Sequence, residues 1–377
     1  MELEIADCST LSQTQHNAWL ELFESVRDAR FYQHPHWFQC VCEHLNSGKL
    51  SIAFVYVDTQ LQMVVPLCCS KGARRLAHPA HDHLSLNDIL FLPNLSHQPE
   101  KLFSYLNAAL CEAGETWLDW QISNVPHFSP LVDALTANNQ SSVQFDEQAS
   151  NPSLRIARDA KTDHWMMKKT RQSASFDCSS EACPPHGKLK RNLRRLRKQI
   201  ENTGELRVDQ IVDPTLLPDA FEHFLQIEAS GWKGAGTAAT AISANPELVA
   251  FYSNLLSPSL RGITPEINLL WCGDQCTAAQ FGLRTGTCLS LLKIGYNEEF
   301  ARFSPGYLLL ESVLADAPGR GIKTLSLVTS PPWADRWHPD TAPVWHVNRY
   351  NNSTLGAAKH QIDKLKQLAK SRLQTAA

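Results

Sequence analysis

Apolar residues recur every three or four positions over residues 11–29, where Leu11, Trp19, Leu22, Phe23 and Val26 fall on one stripe. That stretch predicts a helix, and so does 36–46. The run "KLSIAFVYVDTQLQMVVPLCCS" then places two strand-forming segments around Asp58-Thr59-Gln60, the pattern of a hairpin. A polar loop, a helix near 99–113 stopped at Gly114 and a strand "TWLDWQI" follow.

The second half repeats this order. A helix near 215–230 ends at Gly231, and a shorter one near 246–257 has Pro246 in its first turn. Three strands fill "EINLLWCGDQCTAAQFGLRTGTCLSLLKIGY", with turns at Gly273-Asp274 and Thr285-Gly286. A helix near 305–317 ends at Pro318-Gly319, and "IKTLSLV" is the next strand. An amphipathic helix with a basic face closes the chain near 355–372. Both halves read helix, helix, hairpin, helix, strand, an alternation that implies an α/β fold with helices on the faces of a sheet. The sequences of the halves do not match, so the repeat is one of architecture.

At 377 residues the chain is long for one core, and two domains are expected. The boundaries fall at 1–150 and 188–377, joined by a Ser-, Pro- and charge-rich linker at 151–187 in which "PSLRIA" has strand character. Apolar residues make up 43% and charged residues 19%, the balance of a soluble globular protein. The start "MELEIADCST" has neither the basic nor the apolar region of a secretory signal, and no stretch approaches the ~20 apolar residues of a membrane span. The reading is a cytoplasmic protein. Eleven cysteines, several in apolar runs such as "MVVPLCCS", read as small buried hydrophobes rather than a disulfide framework. The spacings Cys40-x-Cys42-x-His44, Cys178-x₄-Cys183-x₂-His186 and Cys272-x₃-Cys276 lack a matched second pair, so no metal is expected. "HPAHDHLSLND" at 78–88, with three His and two Asp, reads as a polar surface loop. No G-x-S-x-G or H-E-x-x-H motif is present.

Charge changes the picture at one place. The net charge is −3, yet seven of the eleven residues from Lys188 to Lys198 are Lys or Arg, leaving −10 for the rest. In "KLKRNLRRLRKQI", Leu189, Leu193, Leu196 and Ile200 form one apolar stripe, so the segment predicts a helix docked on a core with a cationic surface. Three uses are open: a solvated face offset by acidic neighbours, a phosphate-bearing ligand such as a nucleotide cofactor or tRNA, and anionic lipid. The acidic remainder and the lack of interleaved aromatics argue against duplex DNA.

Candidate chemistry concentrates in "LLKIGYNEEFARFSPGYLLLESVL". Ser304 suits an N-cap, Pro305 the first helical position, and Gly306 leaves the backbone bare. Exposed N–H groups and the helix dipole make such a tip an anion site, with Arg302 and Lys293 placed to add charge. The matching segment of the first half, "LSHQPEKLFSYL", has neither the glycine nor the arginine. In "FLQIEASGWKGAGTA", Glu228 ends a helix before a glycine-rich loop that carries Trp232 and Lys233, suited to a lid. In "SPPWADRWHPDTAPVWH", Trp333, Asp335 and Arg336 follow the last strand, where open α/β sheets place ligands.

"KLKRNLRRLRKQIENTGEL", "LQIEASGWKGAGTA", "AFYSNLL" and "LLKIGYNEEFARFSPGYLLLESVL" resemble the GNAT-superfamily N-acetyltransferases of the polysaccharide (cellulose-type) biosynthesis group. These are similar to Fem-type aminoacyl transferases and N-acyl amino acid synthases. The likeness covers about 188–320 by motif and the first half by architecture only. It implies two tandem GNAT-like domains, each a mixed sheet flanked by helices, and acyl transfer from a thioester, commonly acyl-CoA or acetyl-CoA, to an amine. It also implies that the cofactor pyrophosphate sits at the helix start after the central strand, where Ser304, Pro305 and Gly306 fall. Relatives often carry an acidic residue and a Lys-Arg-Trp-like stretch after the next strand. Here Ser326 and Ala334-Asp335-Arg336-Trp337 stand in those places.

The expected function is an N-acyltransferase acting on a small-molecule amine or amino sugar. Glu228 is the first candidate base and Asp335 the second, with Tyr296 as the acid that returns a proton to the leaving thiolate. Lys293, Arg302, Ser304, Pro305 and Gly306 would hold the donor, and Trp232, Lys233, Trp333 and Arg336 the acceptor side. The cationic helix would meet the cofactor's 3′-phosphate, an acyl carrier protein or a polysaccharide-assembly protein. Two other readings remain: an aminoacyl-tRNA-dependent transferase, and a non-catalytic GNAT-like scaffold.

Overall fold

The computed structural model describes residues 1–45, 49–70, 74–113, 117–139, 154–158, 164–179, 185–230, 240–257 and 260–375. The chain forms two compact units. The first comprises 1–42, 46–171 and 343–377, and the second 43–45 and 172–342.

In chain order the first unit runs β1 (Glu2–Asp7), α1 (Gln13–Ser25), α2 (Pro35–His44), β2 (Leu50–Val57), β3 (Gln60–Ser70), β4 (Arg75–Ala77), β5 (Leu90–Phe91), α3 (Pro99–Ala113), β6 (Asp119–Pro126), α4 (Pro130–Asn139) and β7 (Leu154–Arg158). Strand β8 (His164–Asp177) begins in the first unit and ends in the second. The second continues with α5 (Gly187–Glu201), β9 (Leu206–Ile211), α6 (Leu217–Glu228), α7 (Pro246–Asn254), β10 (Thr264–Cys272), β11 (Gln275–Thr285), β12 (Cys288–Tyr296), α8 (Pro305–Asp316) and β13 (Thr324–Ser326). Strand β14 (Asp340–Tyr350) returns to the first unit, where α9 (Thr354–Thr375) follows.

Local chemistry sets several boundaries. The Ser12 hydroxyl accepts from the Gln15 N–H, and the Gln15 side chain accepts from the Ser12 N–H, a reciprocal cap that starts α1 at Gln13. Asp58 and Thr59 both have positive φ, 49° and 67°, the backbone of a two-residue turn that matches strand twist, and Val57 then pairs with Gln60. Asn245 caps α7 by accepting from the Glu247 N–H at 2.9 Å.

The two units repeat one topology. In the first the strand order is β1-β2-β3-β4-β6-β14, and in the second β9-β10-β11-β12-β13-β8. Within each, one neighbouring pair is parallel, β4 with β6 and β12 with β13, and the other pairs are antiparallel. A parallel pair needs a crossover, and α3 and α8 supply it. Two helices separate the first and second strands of each set, α1 and α2 in one and α6 and α7 in the other. The sixth strand of each set is exchanged: β14 follows the second unit in the chain yet pairs with β6, and β8 follows the first yet pairs with β13. This is the mixed α/β architecture of a GNAT fold. Two long strands lie where the sequence pattern showed none. Residues 164–177 and 340–350 are long strands.

In the second unit the sheet is covered on both faces. Phe221, Phe224 and Tyr252 from α6 and α7 gather round Phe281 on one side, with ring centroids 5.3–6.1 Å apart. On the other side Leu308, Leu309 and Val313 of α8 and Leu193, Leu196 and Ile200 of α5 share one buried cluster with Leu270, Ala278 and Leu291. The first unit has its own core, built on Leu102, Phe103 and Leu106 of α3 with Trp120 and Trp165.

Candidate active site

Strands β12 and β13 part. They pair only over Cys288–Ser290 with Thr324–Ser326. The chain after Ser326 stays with β8 alone: the Leu327 N–H donates to the Ala174 carbonyl at 2.9 Å, and the Ala174 N–H to the Thr329 carbonyl at 3.0 Å. Strand β12 runs on for six more residues and carries a bulge, since Phe281 pairs with Lys293 and Gly282 with Leu291, leaving Leu292 as the extra residue. The opening lies at the C-terminal ends of two parallel strands, the place where open α/β sheets bind ligands.

A short 3₁₀ helix, Glu298–Phe303, links β12 to α8 at the mouth of this opening. Ser304 between the two helices is left-handed, φ 52° and ψ 55°, because the residue before a proline avoids the helical region and the chain must turn at once. Its side chain makes no cap hydrogen bond, contrary to the N-cap role expected of it. The Ser304 carbonyl instead takes the Tyr307 N–H at 3.0 Å and the Leu308 N–H at 3.2 Å. Pro305 has no N–H, so Gly306 presents the first peptide N–H of the helix tip. Among the described residues, a Cβ on Gly306 would meet within 4 Å only the Tyr296 ring, at 4.0 Å. Tyr296 and Gly306 are thus brought together at the mouth, and Tyr296 is exposed.

Arg302 is exposed just before the tip, its guanidinium 4.5 Å from the Phe303 ring centroid. Lys293 is half-buried on β12. Trp333, Asp335 and Arg336 ride on a second 3₁₀ helix, Pro332–Trp337, that seats on the first turns of α8. The Tyr307 hydroxyl donates to the Trp333 carbonyl at 2.8 Å, and its ring packs 5.6 Å from Trp337. Burial pushes the Tyr307 hydroxyl pKa up, and the Arg336 charge opposes it. Asp335 is exposed, and among the described residues no hydrogen bond links it to Glu228 or Tyr296. Trp232 and Lys233 lie outside the described residues.

Glu228 ends α6 against β12. A Cβ on Gly295 would lie 2.9 Å from Glu228 Cα and 3.1 Å from its N, so only glycine permits this approach. The Glu228 carboxylate is 3% exposed, and Oε2 accepts from the Ile242 N–H at 2.9 Å. Tyr252 lies close by: burial first, then the Glu228 charge, raises its hydroxyl well above the usual value. Gly295, Tyr252 and Tyr307 were not singled out from sequence. The strand glycine of "KIGY" was the available signal, as a residue that marks a bulge or a close approach.

The equivalent opening of the first unit is shut. The His78 N–H donates to the Gln121 carbonyl at 2.8 Å, the Asn87 N–H to Asn124 at 3.0 Å and the Asn87 side chain to Ser123 at 3.0 Å, tying 78–87 along β6. His78, Asn87 and Asp88 are buried, so the ends of 78–88 depart from the surface loop expected there, while His81 and Asp82 are exposed. Helix α3 also begins with a proline after a 3₁₀ helix, but Glu100 stands at its second position where α8 has Gly306.

The cationic helix α5 joins the second unit's site from the side. Arg197 bonds Glu311 at 3.0 Å and Ser312 at 3.2 Å on α8. Leu193 and Leu196 share a buried cluster with Phe300 and Phe303 of the 3₁₀ helix before the tip. Lys188, Lys190, Arg191, Arg194, Arg195 and Lys198 stay exposed.

Residues 187–337 match the family model of the acetyltransferase (GNAT) domain. The matched segment runs from α5 through β12, β13 and the helix tip to Trp337, so it contains Glu228, Tyr296, Arg302 and Gly306. The chain is an acyltransferase. No curated protein matches the sequence. Solved structures agree in fold over nearly the whole length. FemX is 11% identical, with 96% of this chain and 99% of that one covered, at a TM-score of 0.56. A domain assigned as the C-terminal part of a lysylphosphatidylglycerol synthetase from Agrobacterium fabrum is 13% identical, with 91% and 95% covered, at 0.53. L-PGS from Bacillus licheniformis is 11% identical, with 94% and 96% covered, at 0.51. At these identities the likeness is one of fold.

Proposed function

We propose that the second unit is an N-acyltransferase that holds the phosphates of an acyl thioester, acyl-CoA or acetyl-CoA, at the tip of α8 and passes its acyl group to an amine. The carrying observation is the bare Gly306 beside Tyr296 where β12 and β13 part. The helix dipole and the Gly306 N–H favour an anion there, and Arg302 adds charge. Glu228 takes the proton from the ammonium form of the acceptor. The free amine attacks the thioester carbonyl, the C–S bond breaks, the Tyr296 hydroxyl protonates the leaving thiolate, and the nitrogen of the new amide returns its surplus proton to Tyr296. Trp333 and Arg336, set beside the tip by Tyr307, line the acceptor side. The acceptor we infer is a small-molecule amine or amino sugar, in keeping with the resemblance to the polysaccharide-biosynthesis group, and the place of action is the cytoplasm. Thermal unfolding with CoA, acetyl-CoA and long-chain acyl-CoAs tests this. A ligand at a hundred times its Kd adds about 2.7 kcal/mol. No stabilisation by any of them overturns the thioester reading.

A second donor, aminoacyl-tRNA, is favoured by one observation: six exposed cations on α5 beside the loop that leads to the tip. The resemblance to Fem-type transferases supports it. Binding of tRNA that weakens steeply between about 50 and 200 mM salt, and weakens again on neutralising Arg194 and Arg195, would select this donor over CoA.

A further inference from the structure

The first unit holds a cavity of about 370 Å³ between its sheet and α9. The volume is at the lower end of small-molecule pockets. Its floor comes from one face of four neighbouring strands: Arg75 on β4, Gln121 on β6, His346 and Asn348 on β14, and Met166, Lys168 and Thr170 on β8. Alternation along each strand puts these side chains on a common side. The roof is Lys359, Asp363 and Lys366, at i, i+4 and i+7 on α9.

The charges do not balance. Asp119, beneath the floor, bonds Arg75 at 3.0 Å and also accepts from the Gln121 amide at 2.9 Å. Asp363 bonds Lys359 and accepts from the Tyr350 hydroxyl at 3.1 Å. Each carboxylate is therefore matched by its own cation. Lys168 and Lys366 face the cavity with no acidic partner among the described residues, an excess of two positive charges. Neutral hydrogen-bonding groups, Gln121, Asn348 and Thr170, surround them. His346 sits among these groups, its Nδ1 2.8 Å from the Ser123 hydroxyl. Burial, with the nearby Lys168 and Arg75 charges, holds its imidazole below the usual pKa, while Asn348 and Asp119 act the other way. A neutral histidine leaves the lysines as the cations that recognise a ligand.

We propose that this cavity binds a small organic anion, a phosphate- or carboxylate-bearing molecule, gripped by Lys168 and Lys366 and oriented by Arg75, Asn348 and Thr170. The site belongs to the first unit and is built from residues that the acyltransferase reading does not use.

Thermal unfolding of the full chain with inorganic phosphate, pyrophosphate or citrate, against chloride at equal ionic strength, tests it. Phosphates would also seek the tip of α8, so each titration is repeated in Gly306→Glu, which blocks that tip. The proposal expects saturable stabilisation by at least one of the three anions that survives in Gly306→Glu. In Lys168→Gln/Lys366→Gln the apparent affinity should fall at least tenfold. Among the described residues neither lysine has an acidic partner, and far-UV circular dichroism of the double variant checks that it folds. A second readout is the imidazole NMR titration of His346, whose pKa should rise when the anion binds. Equal stabilisation of wild type and the double variant overturns the proposal, as does an unmoved His346 at saturating anion. Stabilisation that is lost in Gly306→Glu and kept in the double variant also overturns it, and assigns the anion to the second unit. A failure of all acyl-CoA binding would leave this result standing.

Discussion

Gly295 of β12 rests on Glu228 of α6 so closely that a methyl group on the glycine would come within 2.9 Å of the Glu228 Cα. The obstacle is backbone, which cannot swing aside as a side chain can. Replacing Gly295 by Ala should push α6 from the sheet and move Glu228 and Tyr296 apart. We expect a loss of about 1–3 kcal/mol in urea unfolding and a fall in kcat.

Glu228→Gln separates chemistry from structure. The amide oxygen can still accept from the Ile242 N–H, so stability should change by less than about 1 kcal/mol. If Glu228 is the base, kcat should fall by roughly 10²–10⁴ in single-turnover acyl transfer. Unchanged kcat would return Glu228 to a purely structural role.

Gly306→Glu should act in opposite directions on stability and binding. The first unit shows that a helix begun by proline accepts glutamate at this position, as Glu100 in α3. A carboxylate in the first turn favours the helix by about 0.3–1 kcal/mol. The same charge would repel the donor phosphates and cover the N–H, so the donor Kd should rise at least tenfold. Isothermal calorimetry with acetyl-CoA measures the loss.

Arg320 stands over Glu266, which is fully buried on β10. The guanidinium bonds both carboxylate oxygens and also the Gln210 side chain, at 2.6 Å. Removing the arginine alone strands a carboxylate in the core. Arg320→Met should cost about 3–5 kcal/mol, and adding Glu266→Leu should recover much of it. Denaturant midpoints of the four proteins in that cycle give the answer.

Asp88 is buried in the first unit, and burial pushes its carboxyl up to about 7 despite bonds from Ser129 and the Ile89 N–H. Between about pH 4 and pH 7 the folded protein keeps a proton that the unfolded chain has released. Stability from this group is therefore greatest below pH 4, declines as pH rises to about 7 and is level above. Asp88→Asn carries no such slope, so its stability relative to wild type should climb across that window, by an amount on the order of a few kcal/mol. Unfolding curves from pH 4 to pH 8 show whether it does.

Much of this fold was legible along the chain because its signals are local. The Asp58-Thr59 turn, the proline-started α7 and α8 and the three strands β10 to β12 all follow from side chains a few residues apart. Two of the long strands were not legible. In "HWMMKKTRQSASFD" the apolar residues cluster at one end and six polar ones follow, so β8 shows no alternation. Its halves belong to different units, so a single period has nothing to follow. Strand β14 is led by "DTAP" and preceded by prolines, a loop composition. Of the site, "RFSPGY" was legible as a bare helix tip, while the left-handed Ser304 was not, since it answers to the helix packed on either side.

The sequence alone determined the identities and spacing of the groups at that tip, the apolar stripe that docks α5 and the alternating order of helices and strands. These depend on neighbours in the chain. Only the tertiary structure decided that β8 and β14 exchange places and that the chain past β13 parts from β12 while it stays with β8. It alone set Gly295 against Glu228, and brought Lys168 of β8 and Lys366 of α9 to one cavity. Each of these joins residues far apart in the chain, where partners are chosen by the burial and hydrogen bonding of the whole unit.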